Sequence, residues 1–171
     1  MTIHSSIFPV PLGAAVAVFT PEGLAALHLT TEPDDALREL SLQFHTVLTA
    51  QGATAASDAL GRQLDEYFAG SLRRFDVALD WQLTSGFYRS ALEAVCEIPY
   101  GVTAGYGEVA TLAGRPRAAR AVGSACRTTP FSLVVPVHRV VRSDGSIGGY
   151  GDLEHKRFLL ALERDAPAQG G

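Results

Sequence analysis

The chain has 171 residues, 47% of them hydrophobic and 19% charged, and a formal net charge of −4. This is enough for one large or two small domains with a real core, and the composition excludes disordered and fibrous classes. No apolar run reaches the roughly 18 residues of a membrane span, and no basic stretch followed by an apolar one opens the sequence, so a cytoplasmic location without a membrane partner is expected.

The first half reads as a small α/β unit. Residues Ala14–Phe19 form an expected strand, and Thr20-Pro21-Glu22-Gly23 places Pro and Gly for a tight turn. Leu24–Leu29 then returns as the second strand of a hairpin. Asp34 and Asp35 predict a helix running to about Ala50, with Leu37, Leu40, Phe44, Val47 and Leu48 at helical spacing. After a loop over 52–56, Ser57 or Asp58 starts a second helix with Leu60, Leu64, Tyr67 and Phe68 on one face, closed by Gly70. Alternation of Phe75, Val77 and Leu79 predicts a last strand. His4, His28 and His45 are scattered without a partnering Cys, so no metal is expected.

Residues 80–86 read as a boundary, dividing the chain into domains 1–82 and 83–171. Phe87–Cys96 is amphipathic and is expected to be a helix. Glu108–Ala113 is a short helix ending at Gly114, and Pro116 is placed at the first turn of the next one. Helix, Gly-containing turn, helix is the helix-turn-helix pattern. Projected at roughly 100° per residue, the second helix has a basic arc of Arg117, Arg120 and Arg127 beside an apolar arc of Ala118, Ala121, Val122 and Ala125. Ala119, Gly123 and Ser124 flank these arcs with small side chains that permit close approach to a nucleic acid. The β-branched run Leu133–Val141, broken by Pro136, predicts a buried strand at each end. Ser143-Asp144-Gly145-Ser146 is a hairpin-type turn, Gly148–Gly151 a glycine-rich loop, and His155–Arg164 the final helix. Cys96 and Cys126 are expected to be unbridged buried thiols of a reducing compartment.

Charge is unevenly placed. Residues 1–85 carry 4 basic and 10 acidic side chains, whereas residues 86–171 carry 10 basic and 8 acidic. No acid lies between Glu108 and Asp144, where Arg115, Arg117, Arg120, Arg127, Arg139 and Arg142 all fall. A segment this polarised fits a nucleic acid partner despite the overall negative charge.

Pro136-Val137-His138-Arg139-Val140, together with Ala118-Ala119-Arg120-Ala121-Val122-Gly123 and Tyr106, resembles the O6-alkylguanine-DNA alkyltransferase family. That family moves an alkyl group from guanine O6 to a protein cysteine, once per molecule. The resemblance covers about residues 87–165 closely and the first 80 residues only in length and element order. It implies an α+β fold, with a ribonuclease-H-like N-terminal α/β domain followed by a mostly helical, winged helix-turn-helix DNA-binding domain. It also implies a DNA-binding set of Arg120, Tyr106, Ala118, Ala119, Arg127 and Arg117. Arg120 would enter the base stack and Tyr106 would hold the flipped nucleotide, with the helix in the minor groove. The base pocket would comprise Tyr106, the carbonyls of Val137 and Val140, Tyr150 and Gly151. No cofactor is implied.

The sequence departs from the family at its centre. Val137 stands where the family has its acceptor cysteine, while His138 and Glu163 keep the positions of the residues that activate it. Thr129 replaces an asparagine that braces the turn. The expectation is therefore a monomeric, non-catalytic binder of DNA containing O6-alkylguanine, similar in logic to the alkyltransferase-like proteins, which flag lesions for nucleotide-excision-repair proteins. Two other readings stay open. One is an alkyltransferase inactivated at residue 137, or one using another thiol such as Cys126. The other is a helix-turn-helix regulator without lesion preference.

Overall fold

The central strand explains the first unit. A computed structural model describes residues 2–148 and 153–168. In it β1 (His4–Val10), β2 (Gly13–Thr20) and β3 (Gly23–Thr30) form an antiparallel sheet in the order β1-β2-β3. Residues 15–20 of β2 are buried throughout, which is why the strand reads as a continuous apolar run rather than an alternation. Val16 and Val18 meet Ala36, Leu37 and Leu40 of α1 (Pro33–Gln43), with Ile7 packed on the same cluster. On the opposite face Phe8, paired with Ala15, lies against Gly61 of α2 (Ala55–Phe68). The expected hairpin is present, and β1 is the element that sequence reasoning missed. Its Ser5, Ser6 and Pro9 break the apolar pattern, and its turn into β2 rests on two left-handed residues, Leu12 at φ 69° and Gly13 at φ 131°.

Three expectations in this unit are corrected. The first helix ends at Gln43, not Ala50. His45 turns left-handed at φ 50°, and the Ser41 hydroxyl accepts the Leu48 N–H, so the chain doubles back and the Gln51 N–H reaches the Ser5 carbonyl of β1. Leu48 still fills the core from this loop, whereas Val47 is 84% exposed. The second helix starts earlier than Ser57: Thr54 caps it, in a reciprocal capping box with Ser57. Phe75–Leu79 forms no strand, only one bridge between Leu24 and Leu79. The Gln63 amide takes both the N–H and the carbonyl of Asp76, replacing a ladder neighbour.

The contacts divide the chain into residues 1–83 with 130–134, and residues 84–129 with 135–171. The second unit contains α3 (Gly86–Val95), α4 (Tyr106–Leu112), α5 (Ala119–Arg127) and α6 (Leu153–Asp165). It also holds two short parallel strands, β4 (Ala104–Gly105) and β5 (Val140–Val141). Both α3 and α4 pack on α5, whose inner face keeps Val122 and Ala125 of the projected arc and adds Cys126, while Ala118 and Ala121 are only half-buried. Pro116, however, is not in this helix. It occupies the second position of a turn in which the Ala118 N–H donates to the Arg115 carbonyl, so α5 begins only at Ala119. The strand expected over Leu133–Val135 is likewise absent, because Leu133 is left-handed at φ 71°. Among the described residues no helix is long and apolar enough to cross a membrane.

Candidate nucleic-acid interface and base pocket

Pro136 ends the irregular segment and Val137–Arg139 follows as one turn of 3-10 helix, leading directly into β5. Proline has no N–H to lose, its carbonyl accepts the Arg139 N–H at 3.0 Å, and the turn exposes Val137 partly while burying the next two side chains. His138 is only 4% exposed, Arg139 6% and Glu163 4%. His138 Nε2 lies 2.9 Å from Glu163 Oε1. Arg139 grips the same carboxylate, with Nε at 3.1 and 3.0 Å from its two oxygens and Nη2 at 2.7 Å from Oε1. Its Nη1 donates to the Ile98 carbonyl at 2.7 Å, and the Gly101 N–H donates to Glu163 Oε2.

The electrostatics follow from this wiring. Burial resists ionisation of Glu163, but hydrogen bonds from His138 and Arg139 outweigh it and hold the carboxyl at about 2. Burial pushes His138 below its ordinary range and prevails over the hydrogen bond and charge of Glu163, while Arg139 and Lys156 act in the same direction as burial. A neutral imidazole that faces a carboxylate through Nε2 carries its proton there. Nδ1 is then an acceptor, and this buried atom has no hydrogen-bond partner among the described residues. Such a group can take a proton from a neighbouring thiol or water. Valine at residue 137 supplies neither, since a branched hydrocarbon has no lone pair for a displacement.

Arg139 is the residue whose position corrects the sequence reading most. It was counted with the basic segment, yet it is buried and committed to Glu163. The other arginines of that segment, Arg115, Arg117, Arg120, Arg127 and Arg142, are exposed. Arg120 and Arg127 stand on the outer side of α5, while Arg117 lies in the preceding turn with Arg115, whose guanidinium sits 5.1 Å above the Phe87 ring. With Pro116 and Ala118 these two line a cavity of about 440 Å³. Ala118 and Ala119 are half-buried at the start of α5. Tyr106 opens α4 and is packed between two glycines. A Cβ on Gly148 would collide with its hydroxyl, and one on Gly123 would touch its ring edge at 4.0 Å. Val140 is fully buried in β5, and Lys156 Nζ donates to its carbonyl at 2.6 Å. Tyr150 and Gly151 lie outside the described residues. Neither Arg139 nor Lys156 was singled out as a site residue from sequence; Arg139 interrupts the apolar run around Pro136, whereas Lys156 stands in the polar stretch Glu154-His155-Lys156-Arg157 and gave no signal.

Comparison with known proteins decides the relationship. Residues 86–165 match the sequence profile described as the 6-O-methylguanine DNA methyltransferase DNA-binding domain. The chain is 40% identical over 169 residues to the methylated-DNA–protein-cysteine methyltransferase of Mycobacterium bovis, covering 98% of this chain and 93% of that protein. The chain belongs to the O6-alkylguanine-DNA alkyltransferase family. A second relative, the methylated-DNA–protein-cysteine methyltransferase of Methanosarcina barkeri, is 48% identical over 105 residues, a match that spans 61% of this chain and 66%, just under two thirds, of that protein. Among solved structures, Mycobacterium tuberculosis OGT in complex with DNA superposes with a TM-score of 0.80 at 35% identity, over 96% of each chain. The mixed α+β fold is therefore that of this DNA-repair alkyltransferase family, and the Pro-Val-His-Arg turn is a member's turn with valine in its second place.

Proposed function

We propose that this chain recognises DNA carrying O6-alkylguanine by minor-groove binding and base flipping, without accepting the alkyl group. In this reading the first unit is a ribonuclease-H-like domain and the second a winged helix-turn-helix. Arg120 enters the stack in place of the rotated nucleotide, and Tyr106 supports that nucleotide. Arg117 and Arg127 hold phosphates, while Ala118 and Ala119 let the helix approach closely. The carbonyls of Val137 and Val140, with Tyr150 and Gly151, line the pocket for the extruded base. Extrusion costs a few kcal/mol, least for a weakened pair, so a lesion is favoured before any chemistry.

One observation carries the non-catalytic part: Val137 stands next to the hydrogen-bonded His138–Glu163 pair, at the place where the resemblance puts the acceptor cysteine. The relatives are named for transfer to a protein cysteine, and the nearest alternative thiol in the sequence, Cys126, is buried in α5. Discarding the bound base unreacted leaves the complex to be resolved by other proteins, and nucleotide-excision-repair components are the partners this implies.

The test is a binding measurement on matched duplexes with and without O6-methylguanine, followed by mass spectrometry of the same protein. Preferential binding with unchanged protein mass is expected; a methyl adduct on the protein would refute the non-catalytic reading. Val137→Cys should convert the binder into a single-turnover acceptor, adding one methyl group per protein, because the general base and its carboxylate are already placed.

A further inference from the structure

The turn between α4 and α5 is held rigid. Ala113 closes α4, and Gly114 beyond it is left-handed at φ 86°. The Gly114 N–H donates to the Thr111 carbonyl at 3.0 Å and the Arg115 N–H to the Ala110 carbonyl at 2.9 Å, the paired bonds of a Schellman cap. The Arg115 carbonyl then accepts the Ala118 N–H at 2.9 Å, across a turn whose second residue, Pro116, has its φ fixed by the ring. Both backbone groups of Arg115 are therefore committed. Its side chain is held too, with the guanidinium 5.1 Å above the ring of half-buried Phe87 in α3. Stacking on a ring leaves the edges of the planar fork free to donate. Arg117, two residues on, is exposed, and with Pro116 and Ala118 the two arginines line the cavity of about 440 Å³. Among the described residues neither arginine meets a carboxylate. Two neighbouring cations without an acid repel each other, and a bound anion removes that repulsion.

We propose that Arg115 and Arg117 clamp one backbone phosphate of duplex DNA in this cavity, and that Phe87 is the positioning residue that holds Arg115 ready for it. A stacked guanidinium presents two parallel N–H donors to phosphate oxygens, and Pro116 and Ala118 offer an apolar wall to the adjoining deoxyribose. Continuity favours a phosphodiester over an acidic peptide. The turn runs without an intervening acid into α5, whose outer Arg120 and Arg127 lie in the segment matching the DNA-binding domain profile. A phosphate contact carries no base information, so the clamp acts alike on damaged and intact duplexes. The inference rests on the DNA-binding part of the proposed function and is independent of base flipping.

The experiment measures the affinity of the full chain for matched duplexes with and without O6-methylguanine across a salt titration. Arg115→Ala is expected to weaken both about tenfold and to reduce the slope of log affinity against log salt by about 0.9. Arg115→Lys keeps the charge but loses the fork, so it should retain the slope while losing several-fold in affinity. Phe87→Leu should weaken both duplexes about threefold with the slope unchanged, and should add nothing in the Arg115→Ala background. No effect of Phe87→Leu, or one of equal size in both backgrounds, would make the ring merely structural and overturn its positioning role. Unchanged affinity for both duplexes in Arg115→Ala would overturn the clamp and point to an acidic peptide instead, while a surviving lesion preference left the proposed function intact. A wild type that bound neither duplex would remove the DNA-binding reading itself.

Discussion

At the scale of single residues, what matters is how few atoms separate a reactive site from an unreactive one. His138, Arg139 and Glu163 form a buried, hydrogen-bonded group, and under the proposed function it is the side chain at 137 that keeps it from acting on an alkyl group. The pH dependence of the fold follows from the same atoms. Glu163 sits at about 2 in the folded protein against its ordinary 4.5, so its stabilising contribution is complete above 4.5 and is lost as pH falls through about 2. His138 is also lowered, so the unfolded chain takes up its proton first and acid costs stability from about 6.5 downwards. Both act in one direction, and thermal denaturation should show a melting temperature that falls in two ranges on acidification. Glu163→Gln should remove the lower range and cost about 3–5 kcal/mol, because Arg139 stays buried without its carboxylate; a melting temperature indifferent to acid would contradict this account. Gly148 offers a steric test. Its missing Cβ is the space the Tyr106 hydroxyl occupies, so Gly148→Ala should cost about 1–3 kcal/mol in denaturation and weaken lesion binding with it.

At the scale of elements, the proposed function has α5 and the turn before it divide the labour of binding DNA. Arg120 projects from the helix itself, whereas Arg117 belongs to the Pro116 turn. Under the proposed function these two arginines should behave differently. Arg120→Ala should bring the affinities for lesion and intact duplexes together. Arg117→Ala should weaken both alike and reduce the slope of log affinity against log salt by about one. If Arg120→Ala left the preference untouched, Arg120 would not be the residue entering the stack. The helical spacing of Arg120, Val122, Ala125 and Arg127 was readable in the sequence because a helix turns one face inward and one outward. The position of Arg117 was not, because proline is equally at home in a turn and in a first helical turn.

At the scale of the whole molecule, net charge misleads. The chain is acidic overall, yet its exposed arginines concentrate in one segment of the second unit. With Arg139 removed from that set by burial, five remain between Glu108 and Asp144, so titrating salt should give a slope of log affinity no steeper than about −5. A steeper slope would mean that basic groups outside this segment also meet the backbone.

The sequence by itself determined the family, the α5 face, the hairpin of β2 and β3 and the Pro-Val-His-Arg turn with valine at residue 137. Each of these is a local property, carried by neighbouring residue types or by a period of 2 or 3.6. Tertiary structure alone decided where Arg139 and Lys156 spend their charges, that Phe75–Leu79 gives up a strand to the Gln63 amide, and that the first helix stops at Gln43 so its loop can meet β1. Those outcomes depend on partners 13 to 46 residues away in the chain, from Gln63 and Asp76 to Ser5 and Gln51. A buried charge or an orphaned backbone group takes whichever partner folding brings within reach, and no local pattern names that partner.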